Sequence, residues 1–178
     1  MQIAATSGWT SADVELFPLR SEHVTQRYVD WLNDPEVNRF LESRFQHHTL
    51  ESTQGFVRAC EMNPEQLFAG IRYRPLGSRH VGNIKLDLNR KHGLAEVGIL
   101  IGEKEIYGRG VASQAIMRIA GIAREDLGLR RLTAGCYAGN QGSVRAFVKA
   151  GFTVECRRPN HFLLDGRPQD LILMGLAL

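Results

Sequence analysis

Two glycines flank Arg109 at a point where a buried strand is expected to give way to a long helix. The strand is predicted over residues 94–101, and small apolar residues recur at helical spacing over residues 111–127. The first N–H groups of a helix have no intrahelical acceptor and lie at the positive end of its dipole, so they attract phosphate. Gly108 and Gly110 would let phosphate oxygens approach the backbone, and Arg109 could add a charge-assisted contact. The turn is therefore a candidate phosphate site; the alternative is that its glycines serve only the bend.

Glu96 is the side chain best placed to move a proton. It lies within the predicted strand on the same face as Gly98, and a glycine leaves room for a ligand beside a carboxylate. Partial burial would make this carboxylate a better acceptor for the proton of an ammonium group. The alternative is a solvated or salt-bridged glutamate. Tyr107 and Tyr137 offer hydroxyls near the same region, although packing alone would also explain them.

A polar pair opens the last predicted helix. Asn140 and Ser143 lie on its first turn, where an asparagine either caps the helix or binds the polar chain of a ligand with its amide. Phe147 follows one helical turn later and is expected to be a core residue. The histidines do not accompany a nucleophile with an oxyanion loop, so a hydrolase triad is not supported.

The composition argues against several other classes of protein. The chain has 178 residues and a formal net charge of +3, an excess too small and too dispersed for nucleic-acid binding. Cys60, Cys136 and Cys156 lack zinc-ligand spacing, so no metal is expected, and their odd number fits a reducing compartment. Residues 1–12 are small and polar and are expected to be loose, without the pattern of a signal peptide. No apolar run approaches the roughly 18 residues of a membrane span, so a cytoplasmic location is expected.

The remaining pattern predicts one α+β domain over residues 1–178. Strands are predicted at residues 14–19, 66–74, 80–89, 94–101, 131–137, 152–157 and 170–178, the second and third of them forming a hairpin. A polar loop containing Asp165-Gly166-Arg167 would join the last two strands. Because a crossover helix connects strands 94–101 and 131–137, these two should be parallel.

The helices are predicted from their capping residues and apolar spacing. Ser21, Asp34 and Thr49 are candidate caps for three helices in the first third of the chain. The third of these would bury one apolar side, made of Leu50, Phe56, Val57 and Cys60. Two further helices are predicted over 111–127 and from Asn140 or Ser143 to about Lys149.

Several of these segments together resemble the GCN5-related N-acetyltransferase (GNAT) superfamily, in particular its RimJ/RimL-like branch. Glu105-Ile-Tyr-Gly108-Arg-Gly110 is similar to the family signature Q/R-x-x-G-x-G/A, with Glu105 in place of Gln or Arg. The run Asn140-x-x-Ser143…Phe147…Gly151-Phe152 is similar to the N-x-x-S/A…Y…G-F segment. Segments around residues 19–38 and 157–170 are similar to the first helices and the final hairpin of the branch.

The resemblance implies a fold and a co-substrate. The fold would be a mixed, mostly antiparallel sheet of about seven strands with helices on both faces and a V-shaped split at the central parallel pair. Acetyl-coenzyme A would bind there without a metal. Its pyrophosphate would meet the backbone at the glycine turn and its arm the residues beyond; the implied cofactor-binding residues are Leu100, Ile101, Gly108, Arg109, Gly110, Val111, Ala112, Ser113, Asn140, Ser143 and Phe147.

The implied reaction is direct attack of a primary amine on the thioester. Glu96 would accept the proton of the amine, and the amine would approach from the side of Asn83 and Lys85. In the family a tyrosine often protonates the departing thiolate; Phe147 stands in that place here, so Tyr137, another group or solvent would serve instead. The alternative is an acyl-coenzyme A sensor or scaffold without catalysis, for which Phe147 is the supporting feature.

The acceptor is left open between a protein N-terminus and a nucleotide-linked amino sugar. Arg39 and Arg44 lie in a segment that particularly resembles relatives acting on such sugars, where arginines could face phosphate. A polyamine fits poorly, because the residues placed on the acceptor side are not predominantly acidic. Many members of the family pair as homodimers, so the resemblance also implies a second copy as a partner.

Overall fold

A seven-stranded sheet organises residues 13–178, which are the residues that the computed structural model describes. The expectation that residues 1–12 are loose lies outside this part of the chain. The sheet order is β1-β2-β3-β4-β5-β7-β6, and every neighbouring pair is antiparallel except β4 and β5. The strands are β1 (Val14–Pro18), β2 (Gln66–Tyr73), β3 (Arg79–Asn89), β4 (Leu94–Ile101), β5 (Arg131–Tyr137), β6 (Thr153–Leu164) and β7 (Arg167–Ala177). The predicted mixed sheet with one central parallel pair is confirmed.

Five α-helices cover the two faces of this sheet. They are α1 (Gln26–Asn33), α2 (Pro35–Asn38), α3 (Leu50–Met62), α4 (Val111–Glu125) and α5 (Gln141–Lys149). The larger apolar cluster joins α4 and α5 to the face of β4 that carries Ala95 and Val97. The smaller cluster joins α1 and α3 to the opposite face, where Leu100 packs. Within residues 13–178, no helix is long and apolar enough to span a bilayer.

Apolar and polar residues alternate along the first half of β4, as predicted, so one face of the strand is buried and the other is exposed. Ala95 and Val97 are buried beneath α4, whereas Glu96 and Gly98 are exposed on the other face. Helix α4 lies close to the sheet because its buried side is made of small and branched apolar residues: Ala115, Ile116, Ile119, Ile122 and Ala123. The predicted core of this region is confirmed.

The parallel strands β4 and β5 pair over only three residues and then diverge. The paired positions are Leu94 with Arg131, Ala95 with Leu132, and Glu96 with Thr133. Beyond Glu96, both strands continue, to Ile101 and Tyr137, without a hydrogen-bonded partner between them. The predicted V-shaped split is therefore present, and its apex lies at Glu96.

Three local predictions are wrong. Ser21 begins a short 3-10 turn, Ser21–His23, and α1 starts only after Thr25. Helix α3 buries Thr53, Val57 and Cys60, while Leu50 and Phe56, predicted for its apolar side, are exposed. The expected polar loop between the last two strands is mostly strand: β6 and β7 run to a two-residue turn at Asp165 and Gly166, both with positive φ.

Candidate active site

The split between β4 and β5 opens into a cleft of about 510 Å³. Its walls come from the unpaired end of β4, the turn before α4, and helix α5. A fourth wall is the segment Asp34–Phe45, called the arch below, which contributes Val37 and Phe40. Main-chain groups and apolar side chains therefore make up much of the cleft surface.

The turn at one end of the cleft presents backbone N–H groups without side-chain partners. Gly108 and Gly110 have φ values of 77° and 78°, which only glycine adopts without strain, and no side chain caps α4 at Gly110. The first hydrogen bond of helix α4 runs from Gln114 N to Gly110 O. The N–H groups of residues 111–113 therefore have no acceptor within the helix. A Cβ placed on Gly108 would meet no atom within 4 Å, so the turn is open to a ligand.

The residues predicted at this turn do not all face the cleft. Those that line it are Gly108, Gly110, Val111, Ala112 and Ser113, with Leu100 and Ile101 on the adjoining strand. The Ser113 hydroxyl donates to Gly110 O at 2.9 Å. Arg109 is exposed and lies outside the lining.

Two cations on α5 that were not predicted as site residues lie near this turn. Arg145 and Lys149 line the cleft, and Lys149 Nζ is 3.7 Å from the point where a Cβ of Gly110 would lie. Among residues 13–178, neither they nor Arg109 has an ion-pair partner. Free cations beside open amides suit an anionic ligand. Their four-residue spacing on one helix face was the available signal.

Glu105, the residue that departs from the family signature, points to Arg79 rather than into the cleft. Its carboxylate forms a salt bridge with the Arg79 guanidinium and is absent from the cleft lining. The negative charge next to the glycine turn is therefore balanced by an arginine.

A nearly buried carboxylate, Glu103, fixes the loop that carries this turn. Glu103 is 8% exposed and accepts hydrogen bonds from Arg27 Nη2 at 2.7 Å, Trp31 Nε1 at 3.0 Å and Arg79 Nη2 at 3.4 Å. The hydrogen bond from Arg27, followed by the attraction of Arg27 and Arg79, holds the pKa of the Glu103 carboxyl below its ordinary value. A cluster linking α1, β3 and the loop thus holds the start of α4 in place.

Helix α5 presents its first turn to the cleft and its aromatic residue to the core. Asn140 Oδ1 accepts from Ser143 N at 3.2 Å, so Asn140 caps the helix, and both residues line the cleft. Phe147 is 2% exposed and lies against Phe152 with ring centroids 5.0 Å apart. It belongs to the core beneath α5 and is not part of the cleft lining.

Glu96 lies at the apex of the split, on the face that carries α1 and α3. It is exposed and pairs across the sheet with Asp87 on one side and Thr133 on the other. Lys85 contacts Asp87 at 3.1 Å, and Gly98, the cross-strand neighbour of Lys85, is exposed.

Asn83, predicted beside Lys85, is buried. It is 3% exposed, and its Oδ1 lies 2.8 Å from His80 Nε2, while its Nδ2 has no hydrogen-bond partner within residues 13–178. Burial lowers the pKa of the His80 imidazole, which favours its neutral form. Asn83 therefore sits beneath the exposed surface of the face that carries Glu96.

Tyr137 ends β5 as a buried phenol. It is 4% exposed, stacks on Phe162 at 4.0 Å, and donates its hydroxyl to the Glu42 carboxylate. Burial first, and then this carboxylate, raise the pKa of the Tyr137 phenol. Tyr107, in contrast, lines the cleft and donates to Ile101 O at 3.0 Å.

Arg39 and Arg44 tie the arch to the β6–β7 hairpin. Arg39 Nη2 lies 3.3 Å from Asp165 Oδ2. Arg44 donates to Leu41 O at 2.8 Å and to Leu163 O at 3.1 Å, and its guanidinium lies over the rings of Phe45 and Tyr137. Both guanidinium groups thus have partners within the chain.

Comparisons with known proteins agree with this architecture. Human alpha/beta-tubulin-N-acetyltransferase 9 is 28% identical over 152 residues, which cover 78% of this chain and 72% of that protein. The N-acetyltransferase 9-like protein of Nematostella vectensis is 25% identical over 164 residues, covering 86% of this chain and 81% of that protein.

Two solved structures share the fold. Spermidine N-acetyltransferase from Vibrio cholerae, in complex with CoA and spermine, gives a TM-score of 0.81 at 18% identity, covering 94% of this chain and 96% of that one. RimL, a ribosomal L7/L12 alpha-N-protein acetyltransferase in complex with coenzyme A, gives 0.81 at 17% identity with the same coverage.

A family model provides the assignment itself. The model described as an acetyltransferase (GNAT) domain matches residues 13–153, which include the glycine turn, both strands of the split and the whole of α5. The match confirms the superfamily that the sequence motifs resemble. The chain belongs to the acetyltransferase (GNAT) domain family.

Proposed function

We propose that this N-acetyltransferase transfers the acetyl group of acetyl-coenzyme A to the primary amine of a protein N-terminus. One observation carries the proposal: a single cleft joins a helix N-terminus without a side-chain cap, two cations of α5, and residues 99–101 of β4, where this strand no longer pairs with β5. Glu96 lies three residues before Ile99 on the same strand and is not part of the cleft lining. The spermidine acetyltransferase and RimL, which share the fold, were solved with coenzyme A bound.

The residues present fit coenzyme A group by group. The amides of residues 110–113 would hold the pyrophosphate, with Lys149 and Arg145 neutralising phosphate charge. The unpaired N–H and C=O groups of β4 beyond Glu96 would bind the amides of the pantetheine arm, and Asn140 would flank it. When bound, acetyl-coenzyme A supplies a thioester carbonyl that a neutral amine can attack.

Glu96 is the proposed general base. It lies at the point where β4 and β5 separate, so an amine beside it would face the space that opens between the two strands. The carboxylate, directly or through one water, would remove a proton from the ammonium group. A β4 amide left free by the divergence would donate to the developing oxyanion.

Tyr137 is the proposed donor of a proton to the departing thiolate. Its raised pKa keeps the proton on the phenol at neutral pH. Glu42, which now accepts that hydrogen bond, would have to release it during the reaction. Phe147 packs in the core against Phe152, which accounts for an aromatic residue at this position without a catalytic role.

The contacts around Glu96 favour a protein amine over a nucleotide-linked amino sugar. Arg39 and Arg44, the side chains expected to face sugar-linked phosphate, are engaged with the β6–β7 hairpin. Lys85, Asp87 and Glu96 together carry a formal charge of −1, which complements an ammonium group rather than a diphosphate. The human relative is named for acetylation of a protein, tubulin, which supports a protein acceptor.

Thiol release from acetyl-coenzyme A with a panel of peptides tests this function. Replacement Glu96→Gln should lower kcat by roughly 100-fold or more, because a general base typically contributes that much, with the calorimetric Kd for coenzyme A unchanged. Glu15→Gln is the matched control, since Glu15 lies on β1 away from the cleft and pairs with Arg72. An unchanged kcat in Glu96→Gln would show that Glu96 is not the general base. Tight coenzyme A binding by wild type without transfer to any amine would favour the sensor alternative.

A further inference from the structure

Among residues 13–178, nothing fills the open space over Gly98, an exposed glycine of β4; this space is called the gap below. A Cβ on Gly98 would meet no atom within 4 Å, and Gly98 is exposed. Three neighbouring strand-associated glycines behave differently: the Cβ position of Gly70 lies 2.2 Å from Phe17, that of Gly82 lies 2.2 Å from Leu100 O, and that of Gly102 lies 2.0 Å from Trp31. Those glycines admit a close neighbour, whereas Gly98 leaves open space.

The position of this gap relates it directly to the split. Gly98 is two residues beyond Glu96 and therefore on the same face of β4, just past the last residue that pairs with β5. A ligand lying over Gly98 has the Glu96 carboxylate at one end and the divergent edge of β4 beside it. The gap is thus continuous with the place where the proposed reaction occurs.

The side of the gap toward α3 is bordered by an aromatic pair, the exposed Phe56 and the partly buried Phe68. Phe68, Lys85 and Gly98 form one cross-strand row over β2, β3 and β4. Above this row, Phe56 of α3 is 51% exposed; its ring is edge-on to Phe68 at 5.9 Å, and Lys85 Nζ lies 5.9 Å from its centre. A half-exposed phenylalanine beside an open floor offers apolar surface to a bound side chain.

We propose that the gap over Gly98 binds the first side chain of the acceptor peptide, and that Gly98 and Phe56 are specificity-determining residues. This rests on the proposed function. The α-amine would lie at Glu96, and the side chain would extend over Gly98 toward Phe56. The floor consists of Gly98 and Lys85, whose methylene stem offers apolar surface, and the Phe56 ring borders it. An apolar side chain without a β-branch, such as that of methionine or leucine, fits this narrow floor. An acidic first residue is disfavoured by Glu96 and Asp87.

The expected discrimination is large enough to measure. A hydrophobic subsite gains about 10- to 100-fold in kcat/KM from a few additional buried methylene groups. Peptides that begin with Met or Leu should therefore exceed an otherwise identical Gly-first peptide by at least about 10-fold. An Asp-first peptide should be the poorest substrate of the series.

The test measures kcat/KM for peptides that differ only in their first residue, with wild type, Gly98→Ala, Gly98→Val and Phe56→Ala. Filling the gap should lower kcat/KM for the Met-first peptide by about 10-fold or more and leave the Gly-first peptide within about 3-fold. Phe56→Ala should affect the Met-first peptide alone. Gly121→Ala on α4, where a Cβ also meets nothing within 4 Å, is the matched control and should leave selectivity unchanged.

Coenzyme A binding, measured by calorimetry, separates the two proposals. Unchanged affinity in the Gly98 and Phe56 variants shows that they are folded, and if Gly98→Val loses affinity, Gly98→Ala and Phe56→Ala decide the outcome. Wild type that acetylates all first residues equally, or gap-filling variants that keep the Met-first activity, would overturn this inference alone. Wild type that binds coenzyme A but acetylates no peptide would overturn the proposed acceptor and this inference together.

Discussion

At the scale of single residues, replacing Lys149 is expected to change ligand binding with little effect on folding. Lys149 is exposed, has no ion-pair partner among residues 13–178, and lies beside Gly110 at the turn proposed to bind the pyrophosphate. Replacement Lys149→Ala should therefore weaken coenzyme A binding by about 5- to 30-fold, the equivalent of about 1–2 kcal/mol, because a charge-assisted contact to phosphate is lost. Calorimetric titration checks this value.

The matched control for Lys149 is Arg118→Ala. Arg118 is a cation on α4 that does not line the cleft, so the Kd for coenzyme A should stay within about 2-fold. An equal loss of affinity in both variants would mean that Lys149 acts only through the overall charge of the protein.

Glu103 gives a prediction about pH. A folded-state pKa below the ordinary value of 4.5 contributes stability that is fully present above that value and is lost as the pH falls through the lowered value. Glu103→Gln should reduce the free energy of unfolding at pH 7 by about 1–3 kcal/mol, since the buried donor of Trp31 and the guanidinium of Arg27 lose a charged acceptor. The difference from wild type should shrink below about pH 4.5.

Urea unfolding between pH 7 and pH 4 measures this difference. Glu125→Gln, in an exposed pair with Arg124, is the control and should change stability little at any pH. A Glu103→Gln deficit that is independent of pH would show that packing, and not the carboxylate charge, stabilises the loop.

The sequence predicted which residues belong to the candidate site better than it predicted where their side chains point and what they contact. The glycines of the turn and Asn140 could be predicted because backbone conformation and helix capping depend on local sequence. The partners of Glu105 and Arg44 could not, because Arg79 and Leu163 are distant along the chain. Which residues of α5 face the cleft depends on the rotation of the helix, which the packing of Phe147 against Phe152 sets.

At the scale of elements, the β6–β7 hairpin was the hardest part to predict. Residues 153–163 of β6 are almost all exposed, so the strand lacks the apolar alternation that normally indicates a half-buried strand. Its pairing with β7 is interrupted by register shifts between Val154 and Cys156 and between Arg158 and Phe162. In contrast, burial alternates along residues 84–89 of β3 and residues 94–98 of β4, because one face of each segment is buried. The predicted hairpin of β2 and β3 is confirmed.

The contacts between the arch and this hairpin predict unequal effects for two arginines. The side chain of Arg44 is 12% exposed and donates to two carbonyl oxygens, so Arg44→Ala should lower the free energy of unfolding by about 1–3 kcal/mol. Arg39 and Asp165 form a pair whose side chains are 55% and 74% exposed, and Arg39→Ala should cost under about 1 kcal/mol. Urea unfolding compares the two, and equal losses would contradict the assignment of Arg44 as the main link.

At the scale of the whole molecule, strands β1–β4 and β5–β7 meet in the sheet at only three residue pairs. A ligand bound in the split would contact β4, α4 and α5 together and should stabilise the folded state by mass action. At a coenzyme A concentration 100 times its Kd, the gain is about 2.7 kcal/mol, which corresponds to a rise in Tm of about 5–10 °C.

Differential scanning calorimetry with increasing coenzyme A checks this shift. Adenosine at the same concentration is the control ligand, because it lacks the phosphates and the amide arm that the cleft would bind. A rise in Tm with adenosine equal to that with coenzyme A would contradict the proposed use of the turn and of β4.

The unpaired edge of β4 has a consequence for how such a protein can change over time. From Val97 to Ile101 the edge facing the split consists of peptide groups, and all amino acids except proline present the same N–H and C=O there. Mutations that exchange these residues for others of suitable size would leave the ligand's hydrogen bonds intact. The amino-acid sequence can therefore diverge while the cleft is kept. This agrees with the fold that the chain shares with RimL at 17% identity.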